Sequence, residues 1–200
     1  MTNIVPFLSY VFVVTFTPGP NNIMSLVNAN KHGYKKTVKF TLGVFSGFII
    51  IMLMSSYFNL ILFNIMPKVK IFMGIIGAMY MTYLAIKIIK SKDSEEKKGS
   101  KNLNSYITGL TMQFVNPKVI LYGITVMSNF IIPYYKSNLA LIIISVLLAF
   151  VALLSTTCWA LFGALFQKLL LKYRKPFNIA FGLLLIYSAV SISGIMDLLN

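Results

Sequence analysis

The chain has 200 residues, of which 58% are hydrophobic and only 11% are charged, and 18 lysines and arginines against four acidic residues give a formal net charge of +14. A soluble domain of this size needs a far more polar surface, so the composition predicts an integral membrane protein that forms one domain. The single cysteine excludes an internal disulfide, and the single histidine excludes a multi-histidine metal site within one chain.

Six apolar segments are long enough to cross a membrane, since a spanning helix needs roughly 20 apolar residues. They cover about residues 4–30, 39–64, 69–90, 105–132, 138–166 and 177–197. The loop between the third and fourth segments is the only long one, and it holds three of the four acidic residues. We therefore divide the single membrane domain, 1–200, into a first repeat of about 1–90, a solvated loop of about 91–104 and a second repeat of about 105–200.

The basic residues are concentrated in alternate loops. The first, third and fifth loops hold 14 lysines and arginines, the second and fourth hold three, and Lys118 lies inside the fourth segment. Cytoplasmic loops carry the excess of lysine and arginine. The sequence therefore predicts a multi-pass protein of a bacterial cytoplasmic membrane, with loops one, three and five in the cytoplasm and both termini outside.

Helix-breaking residues interrupt the first segment of each half. The first segment carries TPGPNN, residues 17–22, and the fourth carries QFVNPK, residues 113–118. Both stretches lie near the centres of their segments. Because each half has three spans, the two halves must run in opposite directions. The predicted fold is an all-α integral membrane protein of six transmembrane helices, arranged as two inverted three-helix repeats with helices 1 and 4 broken at mid-membrane.

The prolines of the first break change its backbone hydrogen bonding. Pro18 and Pro20 have no N–H, so the carbonyls of Val14 and Phe16 lose their helical donors. Between the prolines, Gly19 permits backbone angles that other residues resist. A membrane tolerates such a break only where it is buried in protein or lines a wet cavity. We therefore interpret TPGPNN as part of a binding site.

The half-helix that follows the first break offers a second kind of group that could bind a substrate. We expect Asn21 and Asn22 to cap this half-helix, whose N-terminus carries partial positive charge and suits a carboxylate. The released carbonyls suit an ammonium group, and Pro117 releases the Gln113 carbonyl in the same way. A broken helix therefore offers partners to both ends of a small zwitterionic substrate.

Further polar residues continue from both breaks. Asn21, Ser25 and Asn28 lie on one helix face, and Gln113 and Asn116 are spaced i, i+3. Polar faces in a membrane bundle point inward or towards water. For Ser25 and Asn28, substrate contact and helix–helix hydrogen bonding are equally compatible with the pattern.

Lys118 is the one formal charge near the centre of a predicted span. It lies roughly 20 Å from the cytoplasmic end of its helix, at about 1.5 Å per residue, which is too far for easy snorkelling. It could pair with a substrate carboxylate, or stay neutral and hydrogen-bonded. Tyr122, one turn later, either lines the same cavity or packs in the core. The predicted substrate-binding residues are Val14, Phe16, Pro18, Gly19, Pro20, Asn21, Asn22, Ser25, Gln113, Asn116, Pro117 and Lys118.

The stretches TPGPNN, with the following HG and basic loop, and QFVNPKVILYG resemble the lysine exporter and homoserine/threonine resistance family of amino-acid exporters. CWALFGALFQKLL and FNIAFGLLLIYSAV are similar to the branch that exports cysteine and O-acetylserine. The resemblance implies a six-helix inner-membrane carrier driven by the proton gradient, with its site at residues 18–21 and 116–118. Many family members have an aspartate shortly after the second glycine of segment two, where this chain has Phe48, Ile49 and Ile50. The path of coupling protons is therefore open.

The leading functional hypothesis is a secondary exporter of small neutral amino acids, which acts by alternating access and exchanges substrate for protons. An ion or metal-ion exporter or channel is the alternative, disfavoured by the lack of buried acids, cysteine pairs and several histidines. A membrane enzyme has little acid–base or nucleophilic chemistry to draw on. We predict no cofactor, no metal and no nucleic-acid partner. The lipid bilayer is the expected surrounding, and a homodimer is compatible with the sequence.

GVFSG, residues 43–47, has a small-xxx-small spacing and predicts close helix packing.

Overall fold

The computed structural model describes residues 4–58, 75, 78–90 and 103–193, and every regular element in these residues is a helix. The prediction of an all-α protein is confirmed for this part of the chain. Parts of the predicted second, third and sixth spans, and most of the loop 91–104, lie outside the described residues. The helices are α1 Ile4–Phe16, α2 Pro20–His32, α3 Tyr34–Tyr57, α4 Ala78–Ile89, α5 Tyr106–Val115, α6 Pro117–Val126 with a π-helical continuation Met127–Ile131, α7 Asn138–Leu165, α8 Gln167–Lys172 and α9 Arg174–Ser193.

Two of the described helices, α3 and α7, are each long and apolar enough to cross a membrane. The pair formed by α5 and Pro117–Ile131 would cross as one further span, with a bend of 65° at the break. Shorter apolar helices are α1, α4 and the part of α9 from Lys175 to Tyr187. The apolar helices fit a membrane protein, while the count of six spans stays a prediction.

Two predicted loop boundaries are wrong. The helix α3 begins at Tyr34 rather than near residue 39, because a single residue, Gly33, separates it from α2, and the φ of 82° at this residue favours glycine. The fifth loop is largely helical, since α8 ends at Lys172 and α9 begins at Arg174. Pro176 lies in the first turn of α9, where a missing N–H costs no helical hydrogen bond.

A band of large apolar side chains faces outward from the bundle. On α7 the exposed residues recur every three or four positions, which is the spacing of one helix face. Between residues 139 and 154 they are Leu139, Ile142, Ile143, Val146, Leu147, Phe150 and Leu154. Soluble monomers rarely expose so large an apolar patch. This surface is therefore suited to contact with lipid.

The two long helices each pack against the broken helix of the other half. The helix α3 contacts α5 and α6, whereas α7 contacts α1 and α2. Glycine makes the α3–α5 approach possible: a Cβ on Gly43 would overlap the Tyr106 carbonyl oxygen, and a Cβ on Gly109 would overlap the Phe40 carbonyl oxygen. The packing role predicted for GVFSG is confirmed at Gly43.

Two apolar clusters lie on either side of the helix breaks. One contains Phe48 and Met52 of α3 with residues of α1, α6 and α7, and the other contains Phe40 and Val44 of α3 with residues of α2, α4, α5 and α9. Between them on α3 is Gly47, where an added Cβ would lie 2.7 Å from Cγ of Gln113 at the second break. The polar residues of the breaks are therefore level with the middle of α3.

Candidate functional site

The first helix break is a three-residue interruption between α1 and α2. The side-chain amide of Asn22 donates to the carbonyls of Thr15 and Thr17, each at 2.9 Å. From α7, the Ser155 hydroxyl donates to the Thr15 carbonyl at 3.0 Å and lies 3.2 Å from Oδ1 of Asn22. Side chains from α2 and α7 therefore replace the backbone donors that the break removes.

The expectation that the carbonyls of Val14 and Phe16 are free is wrong. The Thr17 hydroxyl donates to the Val14 carbonyl at 3.0 Å, and the Trp159 indole N–H donates to the Phe16 carbonyl at 3.2 Å. A polar group removed from water without a partner costs several kcal/mol. The protein therefore satisfies both carbonyls with its own side-chain donors.

Two further expectations about this break are also wrong. The N-cap of α2 is Gly19, without a side-chain cap, and the amides of Asn21 and Asn22 bond elsewhere. The backbone of Gly19 is extended, with φ −165° and ψ 176°, which any residue can adopt. What glycine supplies here is space, because a Cβ would lie 3.2 Å from both Cδ and Nζ of Lys118.

The second break is a single extended residue, Asn116, between α5 and α6. Its side-chain oxygen accepts the Lys118 backbone N–H at 3.2 Å, so Asn116 caps α6, with Pro117 in the first position. The Gln113 carbonyl, which Pro117 deprives of its helical donor, accepts the Asn116 N–H at 3.4 Å. Asparagine at this point therefore ends one half-helix and starts the next.

The structure brings the two breaks into direct contact. The side-chain amides of Asn21 and Gln113 bond reciprocally at 2.8 and 3.1 Å, and the Asn116 amide donates to Oδ1 of Asn21 at 3.3 Å. Beside this network, the Lys118 amine donates to the carbonyl and the hydroxyl of Thr17, each at 3.0 Å. Residues 92 to 101 positions apart in the chain therefore form one polar layer.

A pocket of about 400 Å³, counting its mouth, lies against this layer. Seven of the predicted site residues line the pocket: Val14, Gly19, Pro20, Asn21, Asn22, Asn116 and Lys118. The pocket joins both breaks, and none of the described side chains that line it is an acid.

Five predicted site residues do not line the pocket: Phe16, Pro18, Ser25, Gln113 and Pro117. Gln113 is fully buried and supports the wall by holding Asn21. The Ser25 hydroxyl donates to the Asn21 carbonyl within its own helix. Asn28, on the same face, donates to the Leu103 carbonyl at 3.1 Å. Hydrogen bonding within the protein, rather than contact with the pocket, therefore accounts for Ser25 and Asn28.

The sequence prediction missed the contribution of α7 to the pocket. Ala152 and Thr156 line one side, and Ser155 holds the first break. The signal was present, since STT interrupts an otherwise apolar segment at residues 155–157. The remaining lining residues not among the predicted set are Thr15, Phe48, Val119 and Tyr122, so the cavity interpretation of Tyr122 agrees with the structure.

Comparison with known proteins identifies the family of the chain. Residues 12–193 match the family described as LysE type translocators. The chain is 39% identical over 191 residues to the cysteine/O-acetylserine efflux protein of Klebsiella pneumoniae subsp. pneumoniae. This alignment covers 96% of the chain and 97% of the relative. It is 38% identical over 186 residues to the protein of the same name from Escherichia coli strain K12. This alignment covers 93% of the chain and 95% of the relative.

No solved structure matches the chain significantly. The family match spans nearly all of the described residues, and the identity to the two relatives extends over almost their whole length. The resemblance seen in the two proline motifs is thereby confirmed. The chain belongs to the family of LysE type translocators.

Proposed function

We propose that the chain is a secondary exporter of small neutral amino acids or their derivatives, such as cysteine, O-acetylserine, homoserine or threonine, across the cytoplasmic membrane. The observation that carries this proposal is the pocket formed where the two helix breaks meet, with one amine and several amides along its wall. The names of the relatives, cysteine/O-acetylserine efflux proteins, support the same substrate class.

The wall of the pocket offers complementary groups to a zwitterion. A substrate carboxylate would face the Lys118 amine and the start of α2, where the first backbone N–H groups have no helical acceptor. A substrate ammonium group would face lining oxygens that can still accept a hydrogen bond, Oδ1 of Asn22 and the Thr156 hydroxyl. Because no described lining residue is an acid, a second positive charge, as in lysine, has no counter-charge in the pocket.

The mechanism we infer is alternating access, with two inverted three-helix halves that move around the pocket. The reciprocal packing of α3 and α7 against the broken helix of the opposite half supports this arrangement. The level of the breaks, beside the middle of α3, supports a site near mid-membrane. We further infer that inward proton movement drives export, by a path that needs no carboxylate in the pocket.

The test is efflux from proteoliposomes that contain the purified protein and are loaded with labelled substrate. We expect saturable efflux of cysteine or O-acetylserine that unlabelled analogues compete with and that speeds up when the outside is made more acidic. Homoserine, threonine, leucine and lysine complete the panel. Lysine as the best substrate would contradict the proposed substrate class, and ion flux independent of amino acids would favour an ion exporter or channel instead.

The orientation of the chain is tested separately. The distribution of lysine and arginine supports a topology with both termini outside, so a reporter fused after Asn200 should be detected only on the outer side of the membrane. The matched fusion within the loop of about 91–104 should be active only in the cytoplasm. The reverse pattern would overturn the proposed topology.

A further inference from the structure

One polar group in the pocket has no partner within the described part of the protein. The Tyr122 side chain is 3% exposed and lines the pocket, and its hydroxyl makes no hydrogen bond there. Thr15 faces this hydroxyl, but the two side chains do not reach hydrogen-bonding geometry. A buried hydroxyl without a partner is unfavourable, so one that persists beside a cavity points to a missing ligand group.

Aromatic packing holds the Tyr122 ring in place on two sides. It stacks on the Tyr10 ring at a centroid distance of 6.0 Å and an angle of 5°, and it contacts the Phe48 ring at 5.6 Å. Tyr10 stacks in turn on Phe130. The aromatic packing therefore fixes the position of the hydroxyl before any ligand arrives.

The position of Tyr122 relative to Lys118 suggests which part of a substrate it meets. The two residues are one turn apart on the same face of α6, about 5.4 Å along the helix axis. A carboxylate held at Lys118 would leave the substrate side chain directed along α6 towards Tyr122. Val119, Ala152 and Phe48 line the pocket as well, and they suit the carbon atoms of such a side chain.

We propose that the Tyr122 hydroxyl selects substrates whose side chain carries an oxygen acceptor, such as the ester carbonyl of an O-acyl amino acid or the hydroxyl of homoserine. This inference rests on the proposed export function. A hydrocarbon side chain of the same length would fit the same space, but it would leave the phenol unpaired. Tyr122 therefore contributes to specificity rather than to the capture of the zwitterion.

The test compares O-acetylserine with norleucine, whose unbranched side chain has the same length without oxygen. In proteoliposomes, the ratio of Vmax/KM for O-acetylserine over norleucine should fall about tenfold in Tyr122→Phe, since one hydrogen bond is lost for the first substrate only. The matched control is Tyr10→Phe, which removes a hydroxyl from the adjacent ring, outside the pocket lining. Its ratio should equal that of the unmodified protein.

Thermal unfolding in detergent keeps the test independent of transport. Tyr122→Phe should unfold at the same temperature as the unmodified protein or above it, because phenylalanine removes an unpaired hydroxyl. A lower unfolding temperature would show that the hydroxyl has a partner within the protein, and would overturn the inference. So would an unchanged substrate ratio, or an equal loss of both substrates. If the unmodified protein exports none of the amino acids in the panel above, the proposed function itself is wrong.

Discussion

Replacing Lys118 with methionine is expected to lower amino-acid efflux by roughly 10- to 100-fold, because hydrogen bonds to charged groups contribute about 1.5–3 kcal/mol each. The Lys118 amine reaches across to the carbonyl and hydroxyl of Thr17, at 3.0 Å each, and it is the one cationic side chain among the described pocket residues. Methionine fills a similar volume but supplies neither charge nor donor. The measurement is initial efflux rate per molecule of reconstituted protein.

The amount of inserted protein must be separated from its activity. Methionine is more apolar than lysine, so Lys118→Met should reach the membrane in normal amounts, as measured by immunoblot of the membrane fraction. Lys136→Met is the matched control, because Lys136 is exposed in the turn before α7 and is outside the pocket lining. Normal export by Lys118→Met would remove Lys118 from the substrate site.

A single added methyl group at Gly43 is expected to give the largest loss of stability. In Gly43→Ala the new carbon would overlap the Tyr106 carbonyl oxygen, which is backbone and cannot rotate away. The helices α3 and α5 must then separate, at a cost of about 3 kcal/mol. For a protein of this size, the unfolding temperature in detergent should fall by about 6–12 °C. Transport should fall too, since α5 contains Gln113 and ends at the second break.

The control for this packing effect is Ala180→Val on α9. It adds more volume than Gly43→Ala, but at an exposed position, so the unfolding temperature should change by less than about 2 °C. Gly109→Ala approaches the same interface from the other helix, where the added carbon would meet the Phe40 carbonyl oxygen. It should behave like Gly43→Ala. A stable Gly43→Ala protein would mean that α3 and α5 do not pack backbone against backbone.

Local chemistry explains why the sequence predicts the two breaks correctly. Proline removes its own N–H and clashes with the preceding turn whatever surrounds it, so Pro20 and Pro117 mark the starts of α2 and α6. The glycine at position 43 likewise indicates a close helix contact, but the sequence does not show which helix is the partner. Composition alone is sufficient for the membrane class, because no soluble fold could cover so many apolar residues.

Only the tertiary structure decides how the freed backbone groups are satisfied and which side chains reach the pocket. Trp159 and Ser155 bond carbonyls 143 and 140 positions earlier in the chain, and no local pattern specifies such pairs. Space at Gly19, rather than its backbone freedom, admits Lys118. The hydroxyl of Tyr122 is unpaired because no neighbouring group reaches it, and the positions of those neighbours are known only from the folded structure. Helix breaks are properties of a few adjacent residues, whereas a binding pocket is defined by contacts between distant ones.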